Sequence, residues 1–95
     1  MKKLKNGWVE GSAQDFLGLS DADVEFIEMR RTLSQMLKEL RLKLQLTQVQ
    51  LAARLATSQS RVAKMEKADP TVSADLLLQS LFQLGVRRKE LAKAI

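Results

Sequence analysis

The sequence predicts a single all-α domain of five helices, and three observations carry that prediction. The chain has 95 residues, is 45% hydrophobic and only 4% aromatic, and its apolar set is dominated by Leu, a balance that favours helix over sheet. Apolar residues recur at three- and four-residue steps rather than alternating. Ser or Thr stands in front of four of these periodic stretches, where a helix needs a side-chain oxygen for its unpaired amides. A chain of this length closes one sizeable core, so one domain is expected.

Residues 1–19 read as an arm, and residues 20–95 as the helical domain. The arm ends in "GSAQDFLGLS" and offers Trp8, Phe16, Leu17 and Leu19 as anchors onto a core or a dimer mate. Its Met-Lys-Lys-Leu-Lys start has the charge of a secretory leader, but Asn-Gly-Trp-Val-Glu-Gly follows where an apolar segment would have to sit. A cytoplasmic protein is the expectation. No apolar run approaches the roughly 20 residues that cross a bilayer, so no membrane partner is expected.

Ser20 reads as an N-cap, with Asp21, Asp23 and Glu25 in the first turn, where negative charge suits the helix dipole. A long helix over 21–44 should follow, with Phe26, Met29, Leu33, Leu37, Leu40 and Leu44 as one apolar stripe. Thr47 with Gln50 is a capping-box pattern and opens a helix over 48–55 with Leu51, Ala52 and Leu55 inward. Ser58 caps a third helix over 59–67, whose inward residues are Val62 and Met65. Asp69-Pro70 should end it, because the ring disfavours helical backbone at the preceding residue. Ser73 caps a fourth helix over 74–84 with Leu76, Leu77, Leu81 and Leu84 inward and Gly85 as its stop. The tail "VRRKELAKAI" fits a short amphipathic helix carrying Leu91 and Ile95, with Leu78 or Phe82 beside it.

The absence of Cys and His removes disulfides, Cys/His metal sites, thiol nucleophiles and imidazole bases together. No spacing groups a nucleophile with a base or makes a phosphate loop, so neither an enzyme nor a cofactor is expected. Charge is distributed unevenly. Residues 10–28 hold six acids and no base, whereas residues 30–67 hold nine bases against Glu39 and Glu66. The basic stretch fits attraction to a polyanion, and charge alone fits a solvated face equally well.

The stretch "LTQVQLAARLATSQSRVAKMEK" adds chemistry to that charge. At about 100° per residue, Ser60, Lys64 and Lys67 point away from Val62 and Met65, with Gln59 and Arg61 on the flanks. Gln pairs with adenine edges, Arg and Lys with guanine edges, and Ser with several partners, which is the set a helix needs in a major groove. Two short helices joined by a short turn can pack steeply and leave the second free to enter that groove.

These residues resemble the XRE family of helix-turn-helix proteins, the Cro and phage-repressor class. The likeness rests on Leu-Thr-Gln-x-x-Leu-Ala at 46–52, Ser-Gln-Ser at 58–60, and Val62 with Met65 and Glu66, and spans about residues 35–84. It implies a lambda-repressor-like fold and a regulator, a repressor by expectation, that binds double-stranded DNA as a homodimer. The implied base-contacting residues are Gln59, Ser60 and Lys64, and the implied phosphate-contacting residues are Gln48 and Arg61. Arg41 and Glu66 match the family's internal ion pair, a structural feature. The chain departs from the family in the loop "KADPTVS" at 67–73, which lacks the Gly that supports phosphate contacts there, and at two positions where the family often has Gly and this chain has Gln45 and Ala56. Left-handed backbone there would cost on the order of 1 kcal/mol relative to Gly.

The arm and long first helix more loosely resemble HigA-like antitoxins, which implies a RelE-like toxin as a protein partner. The acidic stretch from Glu10 to Glu28 suits a basic partner, or simply supplies helix N-terminal acids. The rival of another class is a protein-binding adaptor that keeps this fold without binding DNA.

Overall fold

In the computed structural model, which describes residues 16–95, five helices and no strands run through residues 21–95. They are α1 (Asp21–Lys43), α2 (Gln48–Arg54), α3 (Gln59–Glu66), α4 (Ala74–Gln83) and α5 (Arg88–Ala94). Trp8 and most of the expected arm lie outside the described residues.

Each of the first four helices begins on the expected hydroxyl. Ser20, Thr47, Ser58 and Ser73 accept from the backbone N–H three residues on, at 3.1, 3.0, 3.2 and 3.1 Å. At Ser20 and Thr47 the third residue reaches back, so Asp23 and Gln50 accept from the cap's own N–H. Such reciprocal pairs satisfy two end amides at once.

The first four helices also end alike. After α1, the Gln45 N–H donates to the Leu42 carbonyl and the Leu46 N–H to Arg41, at 3.0 Å each. The same pair of bonds closes α2 through Ala56 and Thr57, α3 through Ala68 and Asp69, and α4 through Gly85 and Val86. This closure needs a left-handed residue just past the helix. Gly85 supplies it at φ 97°, but Gln45, Ala56 and Ala68 adopt φ 60°, 56° and 56° with a Cβ in place. The third helix therefore ends through Ala68, before the ring of Pro70 can act, which corrects the expectation that Asp69-Pro70 stops it. Ala56→Gly should relieve about 1–2 kcal/mol of backbone strain against about 0.4–1 kcal/mol of added unfolded-state freedom. The expected net gain is about 0.5–1 kcal/mol, read as a rise of roughly 2–8 °C in melting temperature.

The core gathers Leu33 and Leu37 of α1, Leu51 and Ala52 of α2, Val62 and Met65 of α3, Leu77 and Leu81 of α4, and Leu91 of α5. Val72, between α3 and α4, joins them. Leu40, Leu55, Leu76, Leu78 and Leu84 are half-buried around this centre.

The apolar stripe on α1 is shorter than its periodicity. Phe26 and Leu44 are 51% and 40% exposed, and the core-packed residues of α1 start at Met29. A helix of 23 residues is about 34 Å long, and α4, with 10 residues, spans about 15 Å, so α1 outruns the elements it packs against. Leu44 is the C-cap residue, where the chain leaves the helix, and Leu46 packs on the core two residues later. Phe16 and Leu17 are exposed rather than anchored, as are Phe82 and Ile95, and Leu91 alone is the buried residue of α5. No helix among the described residues is long and apolar enough to cross a membrane.

Candidate nucleic-acid interface

Helices α2 and α3 pack through Leu51 and Ala52 on one side and Val62 and Met65 on the other, all buried. Fixing Val62 and Met65 inward turns the opposite side of α3 outward. Gln59, Ser60, Arg61 and Lys64 are all exposed, and Lys67 continues the same face at the helix end. Ser60 and Lys64 stand one turn apart, and α3 with its eight residues is about 12 Å long, a length a major groove accepts.

The face is organised from behind. The Gln59 side-chain amide donates to Gln48 Oε1 at 2.7 Å, and Gln48 Nε2 donates to Glu66 Oε1 at 3.2 Å. Glu66 in turn accepts from Arg41, at 2.6 Å from Nε and 3.0 Å from Nη2. The fork is completed where Arg41 Nη1 donates to the Leu46 carbonyl at 2.9 Å. One run of hydrogen bonds thus links α1, the α1–α2 turn, the start of α2 and both ends of α3. The two charged side chains are only 12% and 3% exposed, and the Glu66 bonds raise the Arg41 pKa above its already high ordinary value.

Such an arrangement fixes rotamers. Gln59 is a long side chain with freedom to lose, and a partner that pre-sets its amide removes part of the entropic cost of contacting a base. Gln48 spends its oxygen on Gln59 and one amide hydrogen on Glu66, and its amide nitrogen carries a second hydrogen suited to a phosphate oxygen.

A polar groove of about 300 Å³ adjoins this face, lined by Ser58, Ser60, Arg61, Lys64, Thr71 and Val72. Thr71 and Val72 belong to the α3–α4 connection, and their place beside α3 is not legible in the sequence. Their placement depends on Asp69, whose Oδ1 accepts from the Thr71 N–H at 2.8 Å and from its hydroxyl at 2.6 Å. Those bonds hold the Asp69 carboxyl below its ordinary range, the hydroxyl contributing most, with Lys64 and Arg30 adding smaller charge effects. An Asp two residues before Thr, across a Pro, is the signal that would have shown this turn.

The order of elements, the capped turn between α2 and α3, and the polar outer face of α3 converge with one comparison. Residues 37–79 match the helix-turn-helix family. The match starts in the last third of α1 and ends within α4, so it holds α2, α3 and the buried Arg41–Glu66 pair. For this segment the match supports an all-helical fold of helix-turn-helix kind and a DNA-binding role. No curated protein and no solved structure gives a significant match to the chain.

Proposed function

We propose that the protein is a sequence-specific regulator of transcription, a repressor, that binds duplex DNA as a homodimer with α3 in the major groove. The observation that carries this reading is the outer face of α3, where Gln59, Ser60, Arg61 and Lys64 are exposed together on a helix anchored from behind by Gln48 and Glu66. Gln59, Ser60 and Lys64 face base edges, and Gln48 and Arg61 reach phosphates. A single helix of eight residues covers only a few base pairs, so specific sites need two such modules about 34 Å apart on one face of the duplex.

Substitution by contact type tests the reading. Gln59→Ala or Lys64→Ala should cost about 1–3 kcal/mol on the preferred sequence and much less on scrambled DNA, flattening the preference. Arg61→Ala should weaken binding to both sequences alike and reduce the salt slope by about one unit. Gln48→Ala removes both a phosphate donor and the partner of Gln59, so it should combine the two signatures. Uniform losses for every variant on every duplex would contradict the roles.

An antitoxin would perform the same DNA binding with a toxin protein as additional partner. The feature favouring it is the exposed acidic start of α1, Asp21, Asp23, Glu25 and Glu28, opposite in charge to α3. It predicts a stoichiometric complex that still binds the operator.

A further inference from the structure

Arg30 lies on α1 before residue 37, where the helix-turn-helix match begins, and its side chain reaches a loop more than thirty residues away in sequence. Its Nη2 donates to the Asp69 carbonyl at 2.7 Å and to the Val72 carbonyl at 2.5 Å. Both acceptors are in the α3–α4 connection, whose Thr71 and Val72 form one wall of the groove beside Arg61 and Lys64.

We propose that Arg30 is a positioning residue for the DNA-facing surface, a latch by which the N-terminal half of α1 sets the α3–α4 loop against α3. The inference rests on the DNA-binding reading above and adds to it a part of the chain outside the matched segment.

The loop carries strain of its own, with Ala68 at φ 56°, and its other local ties are the Ala68 and Asp69 N–H bonds that close α3, the Asp69 bonds to Thr71 and the Val72 N–H bond to the Asp69 carbonyl. Those ties set the turn's internal shape and do not fasten it to α1. Val72, 3% exposed, seats it on the core from below, and the guanidinium fastens two carbonyls from the side. Finally, both bonds leave one guanidinium nitrogen, whose two N–H groups are held in the plane of the group, whereas a Lys ammonium is a point donor on a flexible stem one bond shorter. Groove width, the approach of Arg61 to phosphate and that of Lys64 to base edges therefore depend on a residue that touches no DNA.

Arg30→Lys is the informative variant because it keeps the charge. Amide hydrogen exchange on the free protein reads the latch, and affinity for duplex DNA reads its consequence. The latch predicts exchange about 10-fold faster at Thr71 and Val72, with Leu51 and Val62 unchanged, and DNA affinity lowered about 3- to 10-fold, within the range of indirect coupling. Arg30→Met, which keeps the apolar stem, should show the same loop exchange and a further loss of affinity from the missing charge. Unchanged exchange in the loop for both variants would overturn the latch. Faster exchange with wild-type affinity in Arg30→Lys would overturn the positioning role, since charge alone would then suffice. A wild-type protein without DNA affinity would remove the functional reading and the positioning role together, while the exchange data would still decide whether Arg30 holds the loop.

Discussion

Leu37→Ala should lower the stability of the domain by about 3 kcal/mol, within the range of about 2–5 kcal/mol for emptying a leucine site in a packed core. Leu37 is fully buried on α1, among core residues of α2, α3 and α4 that have no solvent-side freedom to close over a void. For a domain of this size each kcal/mol moves the melting temperature by about 4–8 °C, so a fall of roughly 12–24 °C is expected. Thermal unfolding followed by circular dichroism checks it. Phe26→Ala is the matched control: it lies on the same periodic stripe but is 51% exposed, and should shift the transition by only a few degrees at most. Equal losses at the two sites would mean that the stripe is buried along its whole length.

Glu66→Ala should be the most damaging change near the interface, costing about 2–4 kcal/mol of stability and most of the DNA affinity. The carboxylate accepts two bonds from Arg41 and one from Gln48, and its removal leaves a guanidinium that is 12% exposed without its counter-charge. Losing the Gln48 bond also releases the residue that orients Gln59. Both consequences follow from one atom group, so melting temperature and DNA affinity should fall together. The Arg41→Ala protein should behave likewise, since it removes the other half of the pair and the tie to the Leu46 carbonyl. An Arg41→Ala protein that melts like the wild type yet fails to bind DNA would contradict the assignment of this pair to the scaffold.

Helix starts were legible in the sequence because the chemistry at an N-terminus is local. A hydroxyl at position 20, 47, 58 or 73 finds its amide three residues on, whatever the rest of the chain does. Helix ends were less legible. Of the left-handed residues, Gln45 and Ala56 stood out only because the family often has Gly there, Ala68 is of a type that announces no turn, and Pro70 drew attention to the wrong residue as the stop of α3. Periodicity marked the inner faces of α2 and α3 correctly but carried the α1 stripe too far at both ends, because it records amphipathicity and not whether a neighbour is present to cover it. The outward set on α3 could be read from helical geometry alone. The bond between Gln59 and Gln48, the reach of Arg30 to the loop and the placing of Thr71 at the groove could not, since each depends on how separate elements pack.

Binding of the protein to labelled duplex DNA from upstream of its own gene, beside a scrambled duplex and across a salt series, decides whether α3 reads DNA. Preference for the native sequence is expected, with an affinity that falls steeply as salt rises, because each phosphate contact releases counterions. Absence of salt-dependent binding to either duplex would contradict the DNA-binding reading and leave the exposed face of α3 as a surface for another protein.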